Sequence, residues 1–309
     1  MTYTAATDLL SIPLPELLSQ ARRLREAAFG SGVELCAIIN ARSGNCSMDC
    51  RFCSQSRHNP TFVEVFELLP SEELRTRILA LAETPVAKIG LVTSGAMLSG
   101  REFDRLCDVL LSLPADVLPR VCVSLGRLEQ ESLDRLAAIG IRRYHHNLET
   151  SEAWYPRICS TQTWRQRRDT VERVVRAGMS PCSGGLFGMG ESWEDRLDFA
   201  FSLRELGVRY IPLNFLNPHK NTPLASMTPL EAEDALRIIA VFRHILPEAT
   251  LRICGGRPLV LGKRQREMFS AGANALMTGD YLTTSGYGIQ NDLALLDELG
   301  LEPLPCAHA

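Results

Sequence analysis

The 309-residue chain carries 33 Lys plus Arg against 36 Asp plus Glu, a formal charge of −3, with 45% hydrophobic and 22% charged residues. Those proportions belong to a globular protein and exclude a disordered chain, a collagen, a coiled-coil rod and a strongly basic nucleic-acid binder. No run reaches the roughly 18 uncharged apolar residues that a membrane span needs. The opening MTYTAATDLLSIPLPELL has no basic segment leading into an apolar core, so the expectation is a cytoplasmic protein with no membrane attachment. Ten cysteines then stand out, because disulfides are not expected in a reducing compartment.

Short β-branched runs alternate with amphipathic stretches along most of the chain. The pattern predicts strands over Val33–Asn40, Val86–Ser94, Arg120–Leu125, Arg142–Leu148, Met179–Gly185, Val208–Phe215, Ala249–Cys254 and Asn274–Gly279. It predicts helices over Ser71–Thr84, Gly100–Leu113, Glu129–Ile139, Thr163–Ala177, Ser192–Leu206, Pro229–Ile245 and Leu259–Ala271, with Ser192 and Asp195 reading as a capping box. Eight strands each followed by a helix is the count of a (β/α)8 TIM barrel; an open doubly wound sheet also alternates, so the count favours the barrel without proving it. With no linker and no repeat, one domain over 1–309 is expected: an extra N-terminal helix (Leu14–Phe29, within 1–29) across the barrel bottom, a barrel core over 30–285 and a loose tail over 300–309.

After the first predicted strand, Cys46, Cys50 and Cys53 form C-x3-C-x2-C in SGNCSMDCRFCSQS. Zinc usually takes four ligands from two separated pairs, or three with His or Glu included. No second pair follows here, and three soft thiolates suit a 4Fe–4S cluster that keeps one iron open. A small zinc site or buried free thiols is the alternative. This motif, with Phe52 before its last cysteine, resembles that of the radical S-adenosylmethionine (SAM) enzymes. The resemblance implies that the open iron chelates SAM, which is cleaved to methionine and a 5′-deoxyadenosyl radical that takes hydrogen from substrate.

Cys122, Cys182 and Cys254 lie on the third, fifth and seventh predicted strands. Side chains of alternate strands pack inward in shared layers, so three odd-strand thiols can ring the interior at one height. Arg252, two residues before Cys254, shares its inward face and is costly there unless paired. Each cysteine taken singly reads as core filler; together, with the arginine, they point to a second metal cluster.

Six segments, from SGNCSMDCRFCSQS through CVSLGRL, YHHNLETS, CSGGLFGMGE and PLNFLNPHKNTPL to AGANALMTGDYLTT, resemble the biotin synthase family in order across roughly 36–300. The resemblance implies sulfur insertion into dethiobiotin, with two deoxyadenosyl radicals activating two carbons in turn and an auxiliary iron–sulfur cluster giving up the sulfur. The family's usual 2Fe–2S cluster has three Cys and one Arg as ligands, but the expected second-strand cysteine falls here at about Gly90. Cys122, Cys182 and Arg252 keep their places and Cys254 is an added thiol. The expectation is therefore a four-iron auxiliary cluster on Cys122, Cys182 and Cys254, in place of the 2Fe–2S form, with Arg252 as ligand or charge partner.

By the same resemblance, Thr93, Ser94 and Gly95 approach the methionine moiety of SAM, although a plain strand-end turn explains them equally well. Asn147 contacts the ribose and the substrate, Glu149 the ribose, and Arg167 the cofactor carboxylate, against the reading of Arg167 as a solvated helix charge. Asn214 offers an amide to the ureido ring, and Thr283 with Thr284 offers hydroxyls to the valerate carboxylate. His145 and His146 read as hydrogen-bonded core. Gly184–Glu191 imitates a dinucleotide loop, but its GxxGxG spacing argues against that reading. Cys36, Cys107, Cys159 and Cys306 have no family counterpart and default to core or surface thiols.

The resemblance further implies a flavodoxin- or ferredoxin-type electron donor and allows a homodimer, for which the sequence offers no interface. Competing readings are another radical SAM enzyme of related barrel type (hydrogenase-maturation or methylornithine-synthase-like) and a non-catalytic iron–sulfur or zinc protein.

Overall fold

In a computed structural model, residues 1–284 and 286–304 are described; Cys306 and the rest of the predicted tail beyond 304 lie outside them. The inner sheet is parallel: β1 (Gly32–Arg42), β2 (Lys88–Thr93), β3 (Val121–Ser124), β4 (Arg143–His145), β5 (Ser180–Cys182) with β6 (Gly185–Phe187), β7 (Tyr210–Phe215), β8 (Thr250–Ile253) and β9 (Ala275–Met277). Pairing of β1 with β9 closes it, and β5 and β6 are two halves of the fifth barrel strand, both pairing with β7. The expected eight-stranded barrel is what forms.

The fifth strand breaks where Met179–Gly185 was predicted as continuous. A Cβ on Gly184 would lie 1.8 Å from the Pro212 carbonyl oxygen, and one on Gly185 2.2 Å from that of Glu149. The glycine pair therefore lets two backbones close in from opposite sides. The fourth strand is also shorter than predicted, ending at His145, so Asn147 and Glu149 stand on the loop that follows.

Helices cover the outside: α3 (Ser71–Ala82), α4 (Gly100–Leu111), α5 (Gln130–Ile139), α6 (Trp164–Arg176), α7 (Trp193–Glu205) and α8 (Ala232–Ile245). Both halves of the Ser192–Asp195 capping box form, and Thr163 with Gln166 forms another at α6. The predicted helix Leu259–Ala271 does not form as one piece. It divides into α9 (Arg257–Val260), a 3-10 turn (Gly262–Arg264) and α10 (Glu267–Ser270), with Gly262 at a left-handed φ of 44° inside the apolar pattern. A short α1 (Tyr3–Asp8) precedes the expected N-terminal helix α2 (Leu14–Phe29), which packs on α8 and α10. The sequence did not announce α11 (Ile289–Glu298) or β10 (Glu302–Pro303). The latter pairs with Gly32 and Val33, so the described part of the tail is tied to the barrel rather than loose. No helix among the described residues is long and apolar enough to cross a membrane.

Candidate active site

The barrel holds a cavity of about 430 Å³, within the usual range for small-molecule sites, and seven of the nine cysteines among the described residues line it. They form two groups at different heights. Cys46, Cys50 and Cys53 lie in the loop after β1, at the C-terminal rim where barrel enzymes place their chemistry. Cys122 and Cys182 lie deeper, on β3 and β5, with Cys254 just past the end of β8.

The rim loop is held by its own hydrogen bonds. Asn59 Nδ2 donates to the carbonyls of Cys50 (3.1 Å) and Cys53 (2.8 Å), and Gln55 Oε1 accepts from the amide of Gly44 (3.0 Å). Ser94 Oγ, after β2, donates to the Gly44 carbonyl (2.7 Å). Asp49 accepts from the amides of Ser160 (2.9 Å) and Thr161 (3.1 Å), which joins this loop to the one before α6. Across that junction Cys50 Sγ faces Cys159 Sγ at 3.8 Å. Cys159, expected to be an isolated thiol, is thus a direct neighbour of the cysteine loop. Its hydrogen bond from Cys50 draws it down to about 6. Binding a cluster on the loop requires Cys50 to exchange that partner for iron.

Beside the loop, Thr93, Ser94 and Gly95, with Phe52, line the same cavity. Arg167 reaches in from α6 with its side chain only 11% exposed, so it is no solvated helix charge. Its Nη2 lies 2.8 Å from Glu149 Oε1, and its Nε donates to the Asn147 carbonyl at 2.6 Å. Burial opposes its charge, and Glu149 more than restores it, leaving the guanidinium above its ordinary value. Asn147 Oδ1 accepts from the Gly184 amide (3.0 Å) and its Nδ2 faces Glu149 Oε2 (3.3 Å). Glu149 holds this place at a left-handed φ of 74°, a conformation that non-glycine residues rarely adopt. Asn214 lines the cavity too, but its amide bridges backbone: Nδ2 donates to the Gly185 carbonyl (3.1 Å) and Oδ1 accepts from Gly255 N–H (3.0 Å). Thr283 and Thr284 line the rim, with Thr283 Oγ1 3.1 Å from Ser54 Oγ.

In the deeper group, the strand register corrects one expectation. Each step around an eight-stranded barrel climbs about one residue, and the pairings Cys36–Lys88, Gly90–Cys122, His145–Cys182 and Pro212–Arg252 fix the levels. On that stagger, Arg252 rather than Cys254 shares the layer of Cys122 and Cys182; Cys254 sits one inward position higher. The fourth member of the odd-strand layer is Cys36, on β1. It lines the cavity with Cys122 and Cys182, and so is not mere core filler.

The buried cations among and below these thiols, Arg252 and Arg143, are paired by Glu34, which sequence reading missed. Glu34 accepts from Arg143 Nη1 at 2.9 Å and from Arg252 Nη2, while the Arg143 guanidinium stacks over Tyr210 at 3.4 Å. Burial would raise the Glu34 carboxyl, but the two arginines pull it down to about 2. One carboxylate between two guanidiniums leaves a positive excess beside the thiols. Burial alone would raise the Cys182 thiol; the hydrogen bond from His145 and the charge of Arg252, whose Nη1 lies 3.5 Å from Cys182 Sγ, bring it below its ordinary value. Arg252 Nε is buried without a hydrogen-bond partner. The thiols ring the cavity instead of converging on one ion position. Several thiols beside a positive excess fit an anionic, multi-iron cluster.

The family model of the radical SAM superfamily matches residues 40–203, and that of the biotin and thiamin synthesis associated domain matches 212–302. A biotin synthase from Desulfovibrio desulfuricans is 66% identical over 305 residues, covering 97% of this chain and 96% of its own. The chain belongs to the biotin synthase family of radical SAM enzymes. Membership brings a 4Fe–4S cluster, SAM and an auxiliary iron–sulfur cluster as cofactors, and dethiobiotin as substrate. Two solved structures share the fold: methylornithine synthase (TM-score 0.84, 19% identical, 99% of this chain and 95% of that one) and the FeFe-hydrogenase maturase from Carboxydothermus hydrogenoformans (0.82, 18%, 100% and 77%). At such identities they speak for the barrel alone, and the sequence relationship favours biotin synthase over either of those activities.

Proposed function

We propose that this chain inserts sulfur into dethiobiotin to make biotin, with the rim and the deep cysteines as its two cluster sites. The observation that carries the reading is the presence of both thiol groups, at different heights, on one cavity. When bound, the cofactors supply deoxyadenosyl radicals at one end and a sulfur atom at the other.

The chain's own residues have definable tasks. Cys46, Cys50 and Cys53 hold the SAM-binding cluster. Phe52 and Thr93–Gly95 pack along SAM, Glu149 and Asn147 meet its ribose, and Arg167 offers charge to its carboxylate. Asn147 and Asn214 face the ureido ring; Asn214 also bridges the backbones of Gly185 and Gly255, and Asn147 links the Gly184 amide to the Glu149 carboxylate, so both are held in place. Thr283 and Thr284 take the valerate carboxylate at the rim. Cys122, Cys182 and Cys254 hold the auxiliary cluster, in its four-iron form, and Arg252, tied to Glu34, serves as its charge partner. The reading includes a flavodoxin- or ferredoxin-type electron donor, a cytoplasmic location, a single domain over 1–309, and a homodimer as the family resemblance allows.

The test is anaerobic incubation of reconstituted protein with SAM, a flavodoxin-type reductant and dethiobiotin. Biotin and 5′-deoxyadenosine should both appear. Deoxyadenosine without biotin would return the chain to the other radical SAM chemistries, and neither product would overturn the reading.

A further inference from the structure

The family's second-strand cysteine is missing at Gly90, and the structure shows where a compensating thiol stands. We infer that Cys36, on β1, is an iron ligand of the auxiliary centre. The inference rests on the reading of the deep thiols as that centre's site and adds to it a residue that neither the motif nor the spacing singled out.

Three independent observations meet at Cys36. First, topology: Cys36 is the β1 member of the odd-strand layer that contains Cys122, Cys182 and Arg252. Odd strands contribute four inward side chains to such a layer, so a set built on strands three, five and seven has a fourth place on strand one. Second, position: Cys36 is buried, 3% exposed, on the same cavity wall as Cys122 and Cys182. Third, vacancy of the alternative: Gly90 pairs across the sheet with both Ile38 and Cys122, and a Cβ built on it lies 3.7 Å from Cys122 Sγ. A thiol at Gly90 would border Cys122 from β2; Cys36 borders it from β1. The ligand has moved by one strand.

The chemistry suits the position. A thiol binds iron as the thiolate, so ligation breaks the Sγ–H bond and releases one proton to water without change of oxidation state at sulfur. Arg252 and Arg143, neutralised only in part by Glu34, supply the charge that a further buried thiolate needs. Cys107 gives the contrast within the same chain: equally buried, but in the helix-side core around α4, with no place on the cavity.

The test compares Cys36→Ala, Cys36→Ser, Cys182→Ala and Cys107→Ala as full-length proteins reconstituted anaerobically. Iron and acid-labile sulfide are counted, Mössbauer spectra recorded, and 5′-deoxyadenosine release measured. Cys36→Ala should lose auxiliary iron, falling from about eight irons toward about four per chain. It should still release deoxyadenosine, which shows that it is folded and that the rim cluster is loaded. Cys36→Ser, nearly equal in volume, should keep more iron but shift the auxiliary Mössbauer signal, because an oxygen replaces a sulfur ligand. Cys107→Ala should match the parent. Full iron with an unchanged spectrum in both Cys36 variants, while Cys182→Ala loses auxiliary iron, would overturn this inference and leave the auxiliary site standing. Full iron in Cys182→Ala as well would bring down the auxiliary assignment itself.

Discussion

The two cysteine groups are held by opposite means. The rim thiols belong to one loop of eight residues from Cys46 to Cys53, half-exposed and fixed by short-range bonds from Asn59 and Gln55. The deep thiols come from residues 36, 122, 182 and 254, almost fully buried, and nothing local relates them; only closure of the barrel brings them together. A loop can present three thiols to an exchangeable, solvent-reached cofactor. A strand layer sets thiols at fixed separations in a dry wall, with paired charges below. On the proposed assignment, a radical source and an atom donor make different demands on the fold, which one barrel meets at different heights.

The comparison is broken most strongly by removing one thiol from each group. Cys46→Ala should abolish deoxyadenosine and biotin together. Cys182→Ala should abolish biotin yet leave SAM cleavage, as followed by chromatography of the reaction products. Biotin production surviving in Cys182→Ala would mean that the deep thiols are not the sulfur source.

The charge below the deep thiols offers a second, smaller effect. Glu34→Gln leaves Arg143 and Arg252 buried without their counterion and should cost about 3–5 kcal/mol of stability in the cluster-free protein. Its pH dependence has a definite sign. The Glu34 carboxyl titrates at about 2 in the fold against an ordinary 4.5, so its contribution is complete above pH 4.5 and fades as the pH falls toward 2. Denaturant titrations across that window should show the parent losing stability faster than Glu34→Gln; parallel curves would contradict the pairing. At the rim the corresponding change is milder. Thr163→Ala removes the capping box of α6, the helix that carries Arg167, and should cost about 1 kcal/mol in a melting curve with SAM cleavage retained.

Much of this architecture could be read in the chain itself, for physical reasons that also explain the failures. Strands buried on both faces leave continuous apolar runs, and helices on a barrel leave amphipathic ones, so the alternation was visible. The Cys46–Cys53 spacing was visible because its three cysteines are sequence neighbours. Cys36 was not, because it lies 86 positions before Cys122, which shares its layer in the fold. The signal was nevertheless present: a layer with occupants on strands three, five and seven has a fourth place on strand one. Glu34 was hidden for the same reason, an acid on a strand whose role exists only once Arg143 and Arg252 cross the lumen. The break in Leu259–Ala271 was missed because apolar periodicity outlasts the helix through Gly262. Arg167 was underrated because its polar sequence surroundings, WRQRRDT, describe the exposed face of α6 and not the turn that looks into the cavity.

Mössbauer spectroscopy of oxygen-protected, anaerobically purified protein tests the central claim most directly, since it counts iron by environment. The account predicts two iron–sulfur centres, each of about four irons, one of which changes on adding SAM while the other does not. A single centre, with the thiols of residues 36, 122, 182 and 254 all open to alkylation after mild unfolding, would contradict it.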